Sequence, residues 1–412
     1  MQPIDAASRA ESVAESLVTD PHGTLAALRE ESPVHRITGP DGRPAWLVTR
    51  HGDVRSALAD PRFSLDKRNA LPGHYSGFSL PPALDANLLN MDPPDHTRVR
   101  RLVVRAFTPG RVEKLRGPVR AIADGLLDAV EPGGRTDLLT TYAGRLPLIV
   151  ICELLGVPEE DRPDFRSWVD ALLTPDPERP HLMKEAVVAM TRFFTGLVER
   201  KRAEPADDLL SDLVRVRDDE GEDGKDGEEG DGRGLSRDEL TSLAFLVVLA
   251  GYEPTVHLIG NTVLALLDRP ALLRRVRTDP DGLAAAVDEV NRWDGPYPMA
   301  IRRFPVEDVE IGGVTVPKGE TVLLSLAAAN RDPRRFPEPD RLDLDRDRSG
   351  HLAMGHGIHH CLAAPLARME AVIALEVLLN RFEKLELDVP RAELRWRPSM
   401  RARGLISLPV RW

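Results

Sequence analysis

The stretch from Ser236 to Leu267 constrains the fold more than any other part of the chain. Ser236-Arg-Asp-Glu239 is a capping box: the serine side chain accepts from the third helical amide, and the glutamate reaches back to the serine amide. Apolar residues then recur at three- and four-residue steps until Asp268-Arg-Pro270 stops the pattern. About 32 residues at 1.5 Å each make a rod of roughly 48 Å. A soluble helix of that length must be buried along much of its course, so the rest of the chain has to be built around it. Its centre is a natural place for chemistry.

Helical periodicity also marks Val119–Val130, Arg145–Leu155, Met183–Arg200 and Leu366–Phe382. Strand signals are short and lie near the two ends of the chain. Ala45–Thr49 is one, Val309–Val316 followed by Thr321–Ser325 reads as a hairpin pair, and Leu405–Trp412 reads as a terminal strand. The expected class is mainly α with minor β. Residues 1–412 are expected to form a single domain, although length alone would allow two or three. Residues 218–234 are almost entirely Asp, Glu, Gly, Lys and Arg and cannot bury enough apolar surface to order themselves. They are expected to be a disordered acidic surface loop.

Charge and cysteine usage narrow the function. A formal net charge of -11 excludes an electrostatic grip on nucleic acid as the main activity. Two cysteines, Cys152 and Cys361, make no disulfide framework and suit a reducing compartment. The N-terminal residues have no apolar core of the kind a signal peptide needs. No run reaches the roughly 18 apolar residues of a membrane span, so the expectation is a cytoplasmic protein without a membrane anchor.

The chemistry is concentrated in Met354-Gly-His-Gly-Ile-His-His-Cys-Leu-Ala-Ala-Pro-Leu-Ala-Arg368. Gly355 and Gly357 let the backbone turn tightly and approach a flat ligand. Cys361 follows, just ahead of a helix whose positive end favours thiolate. This run resembles the cysteine-ligand loop of the cytochrome P450 family, in its Gly-x-Gly-x-His-x-Cys and Leu-Ala-Arg elements. Met354 stands where that family usually has Phe, and Ala363 where it usually has Gly. The resemblance implies that Cys361 ligates a haem b iron, with haem between the long helix and the cysteine loop.

Further elements share the resemblance. Glu289-Val-Asn-Arg292 matches the Glu-x-x-Arg helix motif, and Arg341 is expected to join it in a buried network. His96 and Arg100, four apart and so on one helix face, match the family's propionate contacts, as do Arg303 and His359. Ala250-Gly-Tyr-Glu-Pro-Thr255 resembles the oxygen-activation motif. There Ala250, Gly251, Glu253 and Thr255 would be the catalytic set, with Gly251 allowing close approach to haem and Glu253 delivering protons. The family's threonine is replaced by Pro254, which has no amide hydrogen and frees the Ala250 carbonyl. The helix is therefore expected to open at Ala250.

What the resemblance implies as a whole is a bacterial soluble monooxygenase, similar to enzymes that tailor macrolides and other polyketides in antibiotic biosynthesis. It would insert one oxygen atom from O2 into a C–H bond, fed by a ferredoxin and an NAD(P)H-dependent ferredoxin reductase. The basic face at Arg98, Arg101 and Arg105 is the expected docking surface. Leu88, Leu89, Leu246, Leu249, Ala250, Met299 and Ile301 are expected to face a lipophilic substrate. Two other outcomes stay open: oxidative ring closure or aryl coupling on the same fold, and a non-catalytic haem-binding sensor or carrier.

Overall fold

The computed structural model describes residues 6–75, 80–104, 107–173, 179, 181–222, 234–279 and 281–412. The chain is mostly helical with small sheets, and it divides into two compact units. One comprises Met1–Gly77, Ala123–Ala143 and Pro254–Trp412; the other comprises Phe78–Ile122 and Gly144–Glu253.

The first unit is organised on a three-stranded sheet. Val34–Thr38 pairs antiparallel with Pro44–Val48, which pairs parallel with Val322–Leu324. Strand alternation sends Val34, Val48, Val322 and Leu324 into one apolar cluster and Ile37, Ala45, Leu47 and Leu323 into another, so both faces are covered. The Val309–Val316 stretch is a hairpin of its own, Val309–Ile311 against Val314–Val316. Gly312 and Gly313 supply the positive φ of its two-residue turn, at 56° and 83°. The expected terminal strand is shorter than its sequence pattern. Only Pro409–Arg411 pairs, with Arg135–Asp137 on one side and Glu386–Leu387 on the other, while Leu405 bridges Trp396 in a separate turn.

The second unit is helical among its described residues. Helices Arg145–Leu155, Arg162–Leu173 and His181–Ala203 lie close to their sequence expectations where these were made. Phe165 and Phe194 of the last two meet edge to face, as do Phe194 and Phe245 of the long helix. The helix Leu209–Glu222 continues through the start of the segment expected to be a loop. Most of that segment, residues 223–233, lies outside the described residues.

The long helix spans Arg237–Leu267, and its capping box forms: the Glu239 amide donates to Ser236 Oγ at 3.1 Å and the Ser236 amide to Glu239 Oε2 at 2.7 Å. Among the described residues it is the one helix long and apolar enough to cross a membrane, with a mean hydropathy of 1.5. Leu240, Leu243, Phe245, Val248, Leu258, Ile259 and Val263 are all buried in the protein, which is what a core helix requires. The helix runs without a break through Pro254. The opening expected at Ala250 is therefore one missing hydrogen bond and not an interruption.

The cysteine helix, Ala364–Arg381, carries an unusual acid. Glu370 is 4% exposed, and its Oε2 has no hydrogen-bond partner among the described residues. Burial pushes its carboxyl from 4.5 up to about 8, with no charged neighbour to offset it. Below pH 4.5 the folded and unfolded chains are both protonated there. Above it the unfolded chain ionises first, so this group removes stability as pH rises until about pH 8. The loss at pH 7 is about 3 kcal/mol. Glu370→Gln is expected to raise the urea midpoint at pH 7 and to leave it unchanged near pH 4.5. An equal shift at both values would show that the effect is not ionisation.

Candidate haem-thiolate site

Cys361 sits in a loop fixed from both sides. Its amide donates to the Met354 carbonyl at 2.8 Å, closing the loop, and the cysteine helix begins three residues later at Ala364. Gly355 and Gly357 have φ of 77° and 72°. A Cβ on Gly357 would stand 3.0 Å from the Leu58 carbonyl oxygen, so the glycine also lets the loop pack on helix His51–Ala59. Leu352, at the loop's entry, donates its amide to Asn330 Oδ1 at 2.6 Å.

Asn330 in turn belongs to the Glu289–Arg292 network. Arg292 makes a two-bond fork to Glu289, at 2.8 Å on each side, and donates to the Asn330 carbonyl at 2.8 Å. Both side chains are fully buried. Arg341 is not the third member, contrary to expectation. Its side chain is 61% exposed and pairs with Glu338 and Asp343. Arg346, 8% exposed, reaches Glu289 Oε1 at 3.1 Å. The backbone carbonyl of Arg341 accepts from Arg292 and Arg346, so the chain passes through the network there while the Arg341 side chain turns outward.

The two cysteines differ in character. Cys152 is buried in helix Arg145–Leu155, and burial pushes its thiol up to about 12, which makes it inert. Cys361 is partly exposed. Among the described residues no group of three His, Cys, Asp or Glu side chains is placed to hold a metal ion. A porphyrin iron brings its remaining ligands with it and needs one protein donor, which the partly exposed Cys361 thiol can supply. In the same unit, Arg303 is 2% exposed and donates to the Ile301 carbonyl at 3.2 Å, and His359 closes the short turn Gly357–His359. Thr255 is buried there too, Met299 packs on the Leu323 cluster, and Ile301 is 38% exposed.

The other unit holds the remaining expected residues. His96 and Arg100 lie on helix Asp95–Val104, the first buried and the second half-buried. On the long helix Leu246, Leu249, Gly251 and Glu253 are half-buried and Ala250 is exposed, although the surrounding sequence is apolar. The space a side chain on Gly251 would fill lies against Ile151, 3.2 Å away. The glycine thus lets the long helix pack closely on helix Arg145–Leu155. Leu88 is buried and Leu89 half-buried. No sequence pattern marks what holds them: Asn87 accepts from the Leu89 amide at 3.1 Å and donates to Ser242 Oγ at 3.0 Å, one turn before Leu246. Arg98 is not a free docking cation, because it pairs with Glu239 and is only 15% exposed. Arg101 is exposed, and Arg105 lies outside the described residues.

Comparison with known proteins identifies the family. The family model described as Cytochrome P450 matches residues 163–400. Cytochrome P450 monooxygenase PikC of Streptomyces venezuelae is 46% identical over 97% of this chain and 92% of its own length. The 6-deoxyerythronolide B hydroxylase of Saccharopolyspora erythraea is 44% identical over 96% of this chain and 97% of its own. The solved structure of ligand-free P450 monooxygenase TamI superposes with a TM-score of 0.85 at 43% identity, covering 96% of this chain and 92% of that one. The family's cofactor is haem b and its chemistry is oxidoreductive. The chain belongs to the cytochrome P450 family and is a haem-thiolate monooxygenase.

Proposed function

We propose that this P450 hydroxylates a bulky lipophilic natural product of the macrolide or polyketide type. Cys361 would ligate the haem iron through its thiolate, and His96, Arg100, Arg303 and His359 would neutralise or hydrogen-bond the haem propionates. Leu88, Leu89, Leu246, Leu249, Ala250, Met299 and Ile301 form the substrate contacts. A ferredoxin and its NAD(P)H-dependent reductase supply electrons, and the enzyme works in the cytoplasm as one catalytic domain. The observation that carries the reading is the Cys361 loop, a partly exposed thiol held by a closed backbone turn just ahead of the helix Ala364–Arg381. The 6-deoxyerythronolide B hydroxylase, by its name, supports the substrate class.

Haem, when bound, supplies the chemistry that cleaves O2 and delivers one oxygen atom to a C–H bond while the other leaves as water. The protein's own residues do the rest. The exposed and half-buried apolar side chains bind and orient a lipophilic substrate and keep water away. Glu253 holds a proton on its carboxylate and passes it inward. Pro254 offers no hydroxyl, and Thr255 with Glu253 takes over the handling of protons in this motif.

Reconstitution tests the reading. The haem-loaded enzyme with ferredoxin, reductase, NADPH and 6-deoxyerythronolide B or a related macrolactone is expected to give a product heavier by one oxygen atom. A product lighter by two hydrogens would assign coupling or ring closure instead. Absence of oxygen uptake and product across a macrolide and polyketide library would overturn the catalytic assignment.

A further inference from the structure

Segments distant in sequence converge on Asp294, at the C-terminal end of helix Gly282–Asp294, and the reaction as described uses none of them. Asp294 is buried. His22 Nε2 stands 2.8 Å from Asp294 Oδ1, and Arg403 Nε donates to the same oxygen at 3.1 Å. Asn261 of the long helix donates its amide hydrogens to the carbonyls of Asp294 and Arg403, both at 3.0 Å. The Arg403 amide donates to the Pro296 carbonyl at 2.7 Å, and its guanidinium lies 3.4 Å over the Trp396 ring. Gly404 lies so close to His257 that a Cβ there would come within 2.0 Å of the imidazole. The C-terminal loop is thus seated on the long helix along His257–Asn261.

Two features make this node matter. Pro254 cannot donate to the Ala250 carbonyl, so the turns that follow it depend more than usual on tertiary contacts for their placement. On the other side, Gly295, Tyr297 and Pro298, which lead to Ile301, line a small cleft together with His22, Ala327, Ala353 and Arg403. The node is also permanently charged. Burial would raise the Asp294 pKa, but the hydrogen bond from His22 and the charges of Arg403, His22 and Arg331 bring it down to about 2.

We propose that Asp294 and Arg403 are positioning residues that lock the C-terminal loop, the Thr255–Asn261 turns and the chain entering Ile301 into one arrangement. They thereby set the shape of the substrate space without touching substrate or haem. The inference rests on the reading that Ile301 and the long helix line that space.

The test uses the haem-loaded enzyme and two iron-binding probes. Imidazole senses the iron, whereas 4-phenylimidazole must also fit its ring into the substrate space. Arg403→Met is expected to weaken 4-phenylimidazole by about tenfold, as misplacement from a distance does, with imidazole affinity and the carbon monoxide spectrum unchanged. Arg403→Lys keeps the charge on Asp294 and is expected to recover most of the loss. His22→Leu removes a single, partly exposed tie and is expected to act in the same direction if Arg403→Met fails to load haem. If these variants move both probes equally, or neither, the node is merely structural and the proposal is overturned. Ile301→Ala separates the two readings. An effect in Ile301→Ala alone leaves the lining assignment standing and removes the node. An effect in Arg403→Met alone removes Ile301 from the lining and keeps the node acting through the long helix. No effect in either removes both.

Discussion

Replacing Cys361 by serine is expected to abolish the red-shifted Soret band of the reduced carbon monoxide complex and, with it, all oxygen transfer. The substitution changes one atom and leaves the loop intact, because the bonds that shape the loop are made by backbone: the Cys361 amide to the Met354 carbonyl and the Ala364 amide to the Cys361 carbonyl. Serine cannot replace the soft anionic sulfur whose electron donation favours O–O cleavage. The matching control is Cys152→Ser. That thiol is buried, held protonated by a pKa of about 12, and packed in a helix interior, so its replacement buries a hydroxyl and costs about 1–3 kcal/mol with no spectral change. Difference spectra of the two variants decide the assignment. A surviving band in Cys361→Ser, or a lost one in Cys152→Ser, would mean that the wrong sulfur has been named.

What the sequence made legible was whatever is written locally. The capping box at Ser236–Glu239 is a four-residue pattern, and it forms as read. The two glycines before Cys361 announce a turn that only glycine accommodates, and both have positive φ. The Glu289–Arg292 pair lies on one helix face and closes within it. What was not legible depends on which distant groups meet. Arg98 looked like a surface cation because its partner, Glu239, lies 141 residues away. The packing of Gly251 against Ile151 was equally hidden, because that neighbour comes from another helix. Leu405–Trp412 has the alternation of one strand, yet its first part bridges Trp396 and only its last three residues join a sheet. Asp294, His22, Asn261 and Arg403 carry no pattern at all, since each is an ordinary polar residue until the fold assembles them.

The choice between Arg341 and Arg346 turns that lesson into a graded experiment. Glu289 is fully buried and bound by two arginines. Its replacement by Gln removes the negative charge that compensates them, and breaking a buried pair in this way costs about 3–5 kcal/mol. The damage should reach the haem site, because Arg292 also holds the Asn330 carbonyl and the Asn330 side chain holds Leu352 at the entry to the Cys361 loop. Glu289→Gln and Arg292→Leu are therefore expected to lower the urea midpoint and the fraction of protein that retains haem together. Arg346→Met should cost less. It removes one of the two cations, and the Arg292 fork to Glu289 remains. Arg341→Met should change stability by no more than about 0.5 kcal/mol, because its ion pairs are exposed and screened by solvent. Urea titrations of the four haem-loaded variants, followed at the Soret band and by far-ultraviolet dichroism, give the order directly. If Arg341→Met proved as damaging as Arg346→Met, the third member of the network would be the one its sequence position suggests, and the observed fold of the 338–346 turn would be wrong.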